Sequence, residues 1–485
     1  MDLKVTIIIP SYNDLDVLKR ALECVAKQDY PQELLELIIV DDFSEKPVRA
    51  PAKNKSISVI RHEENKGRAA ARNSGIKNAK NDLLVFLDSD VLADPKLVSA
   101  HVSAHKKLSV EDGKTVFLGT VRWHPDVKKN HFTMYSRWFE YDRVFDKPEL
   151  SYDDFAGANF SIMRDDLLES GILFDEKFDK YGMEDLEFGY RLKKAGFHFK
   201  FAPQAVGLHF REATLEDQIK RGEESADSIL YFLIKTEDPQ VSEKLKILPP
   251  DLYRQYSVLF AEAESIAFSH IERLAKYKNL NPFEQEILAV CFTFLIEYAP
   301  LKVFYELPAV NDVRYFSGNY KNTIIDWAFR INIIDRIYAV NIGPITIHKE
   351  IDDTIPDIML RQSLCHETGR YFITRKNYNE ATKILKPALD YNVEPNKDMY
   401  LIIYLLGSIA ERQRAYADAE KYFKKVVDEG KNYIHVSQSA SAYYHLGKVV
   451  LDYRKDKLAA ERYFQAAIEL CHDHTGAKQA LEELS

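Results

Sequence analysis

Apolar and polar positions along this chain change their period from block to block. The first hundred residues switch between short, continuous apolar runs and longer stretches with helical spacing. "VTIIIP" is apolar nearly throughout, which predicts a strand buried on both faces. "NDLDVLKRALECVAKQDYP" places Leu18, Ala21, Leu22, Val25 and Ala26 on one helical face. Asn13 or Asp14 can cap that helix, and Pro31 lies just past its end. "LLELIIVDD" and "ISVIRH" predict two more strands, and "GRAAARNSGIKNAK" a second helix. "LLVFLDSD" predicts a fourth strand and "DPKLVSAHVSAHKKL" a third helix. The alternation implies an α/β domain with a mostly parallel sheet. Ligands of such sheets gather at the carboxyl ends of the strands.

Beyond about Leu215 the strand signals fade. Residues 215–360 read as largely helical, with Pro249-Pro250 and Pro300 as breaks. A repeat then emerges. Gly369, Ala381, Leu385 and Ala388 recur as Gly407, Ala419, Phe423 and Val426, and again as Gly447, Ala459, Tyr463 and Ala466. Small residues let antiparallel helices approach, and the large one fills the groove between them. The pattern resembles the tetratricopeptide repeat, with a longer period than the usual one of about 34 residues. Three divisions are expected: 1–235 as the α/β domain, 236–360 as a helical linker domain, and 361–485 as the repeat domain.

Composition narrows the class. The chain has 485 residues, too many for one hydrophobic core. A formal net charge of −9 argues against a nucleic-acid binder driven by phosphate attraction. Four scattered cysteines show neither a zinc spacing nor a disulfide framework, which fits a reducing compartment. The chain enters a strand almost at once, so no signal peptide is expected and a cytoplasmic location is. The apolar run Ile287–Ile296 is short for a membrane span and reads as a core helix, an interfacial segment being the alternative.

Several strands end in polar groups: Ser11, Tyr12 and Asn13; Asp41 and Asp42; and Asp88, Ser89 and Asp90. Neither GxGxxG nor GxxxxGK[ST] is present, which disfavours a nicotinamide cofactor or a P-loop. Asp94 with Pro95 already suits the start of the following helix, leaving Asp88 and Asp90 spare. A solvated turn is the plain reading of the pair. The chemical reading is a divalent cation beside a nucleotide diphosphate, since carboxylates suit Mg²⁺ or Mn²⁺.

In order, "VTIIIPSYND", "LIIVDDFS", "NKGRAAARNSGI" and "LLVFLDSDV" resemble the donor-site motifs of family 2 glycosyltransferases with the GT-A fold. "FAGANFSIMRDDLLESGILFDEKFDKYGMEDLEFGYRLKKAGF" resembles the family's acceptor-side region, in particular its galactosyltransferase-like C-terminal module. The resemblance covers roughly residues 3–235. It implies an α/β GT-A domain with a Rossmann-like mixed sheet, followed by an all-α region with tetratricopeptide-like repeats. It also implies that Pro10 to Tyr12 hold the base, that Asp41 and Asp42 lie near uracil and ribose, and that Arg68, Arg72 and Asn73 reach the diphosphate or the acidic loop. Asp88 and Ser89 would contact the donor, and Asp90, His209 and Asp88 would bind Mn²⁺ (or Mg²⁺). Asp185 would be the general base and Glu184 its positioning partner, although both also suit the first turn of a helix electrostatically. Asn159 would bond the donor sugar beside Gly157 and Ala158. Arg211, with Lys220 and Arg221, would close over the diphosphate.

The implied activity is inverting transfer of a hexose or N-acetylhexosamine from a UDP-sugar to a peptide, protein or glycan acceptor. The repeats would hold that acceptor or a second copy of the chain, as extended concave stacks do. Three rivals remain at this stage. They are a polysaccharide or lipid-linked glycan enzyme in peripheral contact with a membrane, a non-catalytic repeat scaffold, and a nucleotidyltransferase. The last lacks its glycine-rich loop.

Overall fold

The structure is a computed structural model. It describes residues 3–50, 56–108, 113–135, 150–280, 282–316, 323–339, 358–374, 376–391, 394–471 and 474–484. The chain forms two compact units: Met1–Lys276 with Leu288–Ile325, and Tyr277–Ile287 with Asp326–Ser485. The stretch 236–360, expected as a domain of its own, is thus divided between them.

The first unit opens with β1 (Val5–Ser11), α1 (Leu15–Val25), β2 (Leu35–Asp41), β3 (Ile57–Arg61), α2 (Gly67–Asn78) and β4 (Leu83–Leu87). It continues with β5 (Val91–Ala93), α3 (Leu97–Lys106), β6 (Thr115–Trp123), α4 (His131–Tyr135), β7 (Asn159–Met163), α5 (Arg164–Ser170), α6 (Glu184–Lys194) and β8 (His198–His209). The sheet order is β3-β2-β1-β4-β7-β6-β8-β5. β3, β2, β1 and β4 are parallel, and β7 is antiparallel to both neighbours. The mixed α/β sheet therefore matches the expected fold class. The sequence pattern did not reveal the three-residue β5 or the reversal at β7.

Alternate residues of the central strands enter two cores. Ile8, Leu84 and Phe86 pack with Ala69, Ile76, Phe188 and Leu192 beneath α2 and α6. Ile7, Ile9, Val85 and Leu87 pack with Leu18, Val25, Leu97 and Val102 beneath α1 and α3. This explains the unbroken apolar runs, because helices cover both sides of the sheet. β1 feeds outward to β2 on one side and β4 lies on the other, so the strand order reverses between β1 and β4. That switch point opens a crevice at the strands' carboxyl ends.

Helices follow: α7 (Leu215–Glu224), α8 (Ala226–Thr236), α9 (Pro239–Lys244), α10 (Pro250–Leu274) and α11 (Pro282–Phe304). Pro300 lies inside α11 rather than breaking it. The helix is consequently longer than the expected core segment. Its window Ile287–Phe304 is long and apolar enough to cross a membrane by length and composition, and 67% of it is buried.

The second unit is helical where described, its helices including Ile358–Thr374, Tyr378–Leu385, Lys397–Arg412, Tyr416–Lys425, Val436–Val449 and Lys457–Leu470. Each glycine of the repeat faces the expected large residue in the first two cases. A Cβ on Gly369 would lie 2.3 Å from Leu385, and one on Gly407 would lie 2.9 Å from Phe423. The third repeat differs. Gly447 faces Phe464, and the buried face runs Ala460, Phe464, Ala467, one residue later than Ala459, Tyr463 and Ala466. A π-helical turn at Val450–Arg454 widens the helix by one residue and shifts the register.

Candidate active site

The crevice at the β1/β4 switch point is a cavity of about 380 Å³. Pro10, Ser11 and Tyr12 from the end of β1 line it, with Asp42, Arg68, Asp88, Ser89, Asp90, Ala158, Tyr181, His209, Arg211 and Arg221. Ser11 is 3% exposed, and its hydroxyl has no partner among the described residues. Ser89 donates to Asp14 Oδ2 at 2.9 Å, which fastens the acidic loop to the start of α1. Asp14 is therefore a wall residue, and its side chain does not cap that helix.

Strand pairing explains how Asp90 and His209 meet. β5 runs antiparallel to β8 with Val91 opposite His209. The Phe210 amide donates to the Asp90 carbonyl at 2.7 Å. Residues 119 positions apart in the chain are thereby fixed side by side, with His209 Nε2 3.5 Å from Asp90 Oδ2. Trp123 lies edge-on to the imidazole at 5.2 Å between centroids. Burial lowers the His209 pKa despite the opposing pull of Asp90 and Asp88. A neutral imidazole beside a carboxylate is a competent donor pair for Mn²⁺. The pair is not a cage: among the described residues no group of three His, Cys, Asp or Glu is arranged to hold a metal.

Asp88 lines the same cavity but has a different partner. Its Oδ1 accepts from Arg72 Nη2 at 3.0 Å, and Arg72 Nη1 donates to Glu184 Oε1 at 3.1 Å. Arg72 is 1% exposed, lies over the Phe174 ring, and rests against Gly157. A Cβ at Gly157 would stand 2.7 Å from Arg72 Nη2, so glycine is what admits the guanidinium. Arg68 also pairs with Glu184, at 3.3 Å, and its guanidinium lies over Tyr181. Burial pushes the Glu184 pKa up, but the two arginines outweigh it and hold the carboxyl low. Burial raises the Asp88 pKa, with Asp90 adding to the rise and Arg72 opposing it. Of the two expected reaches of Arg72, to the diphosphate or to the acidic loop, the structure has the second: the residue is a buried clamp between that loop and α6.

Asp185 follows Glu184 in the first turn of α6. It is half-buried and accepts from the Gly157 amide at 3.1 Å and from the Leu186 amide at 2.8 Å. Burial raises its pKa, and the neighbouring Glu184 charge adds to the rise. The chain reaches it through Gly182 and Met183, both left-handed at φ 83° and 67°. Left-handed backbone is uncommon at a methionine and tends to occur where function fixes the turn.

Three expected donor contacts are committed to the protein interior. Asp41 is fully buried and accepts from the Ser44 and Val48 amides and from Arg61, organising the loop after β2. Asn73 bonds Phe174 in both directions and Glu176, so it fastens α2 to the segment before α6. Asn159 donates to the carbonyls of Thr120 and Ala205 and accepts from His101. Its amide is saturated and cannot bond a sugar. Asp42 does line the cavity, yet its carboxylate already accepts from the Lys66 and Gly67 amides and meets His62 at 2.7 Å. Tyr181 was missed from the sequence. Only the neighbouring "GMED" turn could have drawn attention to it.

Part of this geometry, from Pro10 to Asn159, lies in a segment with known relatives. Residues 6–170 match the family described as Glycosyl transferase family 2. Residues 6–170 thus carry a glycosyltransferase-family domain. Hyaluronan synthase of Pasteurella multocida is 28% identical over 278 residues, covering 50% of this chain and 28% of that protein. The glycosyltransferase YfnE of Bacillus subtilis is 28% identical over 257 residues, covering 43% of this chain and 64% of that protein. The chain thus spans less than two thirds of either relative's length. Among solved structures, mannosyltransferase PcManGT from Pyrobaculum calidifontis, in complex with GDP-Man and Mn²⁺, aligns over 63% of this chain and 88% of its own at 18% identity and a TM-score of 0.41.

Proposed function

We propose that this chain transfers a hexose or N-acetylhexosamine from a UDP-sugar to an acceptor hydroxyl of a glycan, peptide or protein, with inversion at the anomeric carbon. The observation that carries the reading is the Asp90–His209 pair, 3.5 Å apart at the carboxyl edge of the sheet. Arg211 and Arg221 line the same cavity and offer positive charge for a diphosphate. Asp90 and His209 would hold a Mn²⁺ or Mg²⁺ ion, and a bound divalent cation supplies neutralisation of charge on the departing diphosphate.

The protein's own groups do the rest. Pro10, Ser11 and Tyr12 hold the base, and the free Ser11 hydroxyl offers it a hydrogen bond. Asp185 takes the proton of the acceptor hydroxyl as that oxygen attacks the anomeric carbon. A raised pKa suits it, since a general base works best when its pKa approaches the operating pH. Glu184 orients Asp185 indirectly, by locking the first turn of α6 to Arg68 and Arg72. Asp88 joins the same clamp, so the donor loop and the helix that carries the base share one buried cation.

The helices of the second unit read as tetratricopeptide-like repeats that hold an extended acceptor or a second copy. A polysaccharide acceptor is the second reading, supported by the likeness to a hyaluronan synthase and by the apolar α11. The test is release of UDP from a panel of UDP-sugars with Mn²⁺. Release from none of them would remove the proposed activity.

A further inference from the structure

A second cavity, of about 370 Å³, adjoins the first. One wall is a single helical face. Gln218, Arg221, Gly222 and Ser225 are spaced i, i+3, i+4 and i+7 along and just past α7, so they point the same way. The facing wall is α11, through Ile296, Pro300 and Leu301. The two walls touch at Gly222, where a Cβ would come within 3.0 Å of Pro300. The third side is Tyr181, Gly182 and Met183, the turn that delivers Asp185. Tyr181 and Arg221 line both cavities, and the Arg221 guanidinium lies 5.5 Å above the Tyr181 ring. One side-chain pair therefore separates the two spaces, beside the start of α6.

The lining chemistry selects a ligand class. Ile229, Leu245, Ile247, Leu301 and Ile324 give an apolar floor. Lys246 is neutralised by Glu297 at 2.5 Å, and Lys244 by Asp153 at 3.3 Å, so neither is left for a phosphate. Gln218 is 5% exposed, yet its amide makes no hydrogen bond to any described residue. An amide carries two donors and an acceptor, and burying it unpaired is costly. The amide opens onto the cavity, so a ligand that displaces the water there must offer both hydroxyl donors and acceptors while laying an apolar face on Tyr181 and the floor. A pyranose ring does both.

We propose that this cavity binds the saccharide unit that accepts the transferred sugar, with Gln218 bonding its hydroxyls. The inference rests on the glycosyltransferase reading. It assigns acceptor choice to lining residues between Tyr181 and Ile324, all of which lie outside the family-matched segment.

The test uses the full chain with Mn²⁺ and UDP, and saturation-transfer NMR with a panel of free gluco-, galacto- and N-acetylglucosamine oligosaccharides. At least one should bind the wild type. Gln218→Leu should weaken it about tenfold, the loss of one buried hydrogen bond. Gln218→Trp, which fills the space, should abolish it. UDP affinity, measured by calorimetry, should stay within about twofold in both variants, as for independent sites. If Gln218→Trp does not fold, Gln218→Leu decides. No saccharide bound by the wild type, or unchanged binding in the folded variants, overturns the proposal. Saccharide binding that Gln218→Trp blocks, in a chain that binds no UDP, overturns the donor-site reading instead.

Discussion

Replacing Arg72 with methionine removes the buried cation that bridges the donor loop and the catalytic helix while keeping most of its volume. Glu184 would lose a partner at 3.1 Å with its side chain 4% exposed, and Asp88 one at 3.0 Å with its side chain 24% exposed. Breaking a buried pair by removing one member costs roughly 3–5 kcal/mol, because the other charge stays behind. Two features favour the lower end. Arg68 still faces Glu184, and Asp88 is partly open to water. A loss of about 3 kcal/mol should lower the unfolding midpoint of the first unit by roughly 4–6 °C. Tryptophan fluorescence can follow the transition, since Trp123 stands beside His209 in that unit. The triple variant Arg72→Met, Asp88→Asn, Glu184→Gln should recover part of the loss, because no buried charge is left unpaired. A loss below about 1 kcal/mol for Arg72→Met, the level of an exposed ion pair, would refute the buried clamp.

Other outcomes follow from the same structure. Asp185→Asn should reduce transfer by about 10²–10⁴-fold, the usual worth of a general base, with UDP affinity retained; turnover near the wild-type rate would remove Asp185 from that role. His101 and His105 are buried neutral, held down by burial to about 4 and about 3, in a chain in which Asn159 accepts from His101, Ser161 donates to His101 and His105 donates to Ser161. Their folded pKa values lie below the unfolded value near 6.5, so the stability they contribute is full above that pH and lost as pH falls toward 4. At pH 5 each should cost the fold roughly 2 kcal/mol relative to pH 7, read by urea unfolding, and a His101→Gln variant should show a shallower pH dependence. Gly447→Val should destabilise the second unit alone, since even a Cβ there would stand 2.6 Å from Phe464; calorimetry should show one lowered transition and one unchanged.

The sequence made the first half of the sheet legible because helices cover both of its faces, leaving continuous apolar runs in Val5–Ser11, Leu35–Asp41 and Leu83–Leu87. It could not show that β7 runs backwards, since an antiparallel strand buried on both faces carries the same pattern. Local motifs placed Asp90 and His209 in one site, and the Val91–His209 pairing then put them side by side. The same motifs misplaced Asp41, Asn73 and Asn159, because an acid or amide beside a ligand cavity looks, in one dimension, like one that ties two loops together beneath it. Arg72 shows the point most clearly. Its spacing from Arg68 predicted a shared face, but only tertiary packing against Gly157 and Phe174 turned it inward. The third repeat slipped by one residue because nothing in "VLDYR" announces a π-helical turn.

The central claim is that Asp90 and His209 together hold the cation that holds the nucleotide. Calorimetric titration of UDP into the full chain, with and without Mn²⁺, tests it most directly, using wild type, Asp90→Ala and His209→Ala. The account expects tight binding only for the wild type with Mn²⁺, and affinity insensitive to Mn²⁺ in both variants. Equal wild-type affinity in the presence and absence of Mn²⁺, or an intact Mn²⁺ effect in either variant, would contradict it.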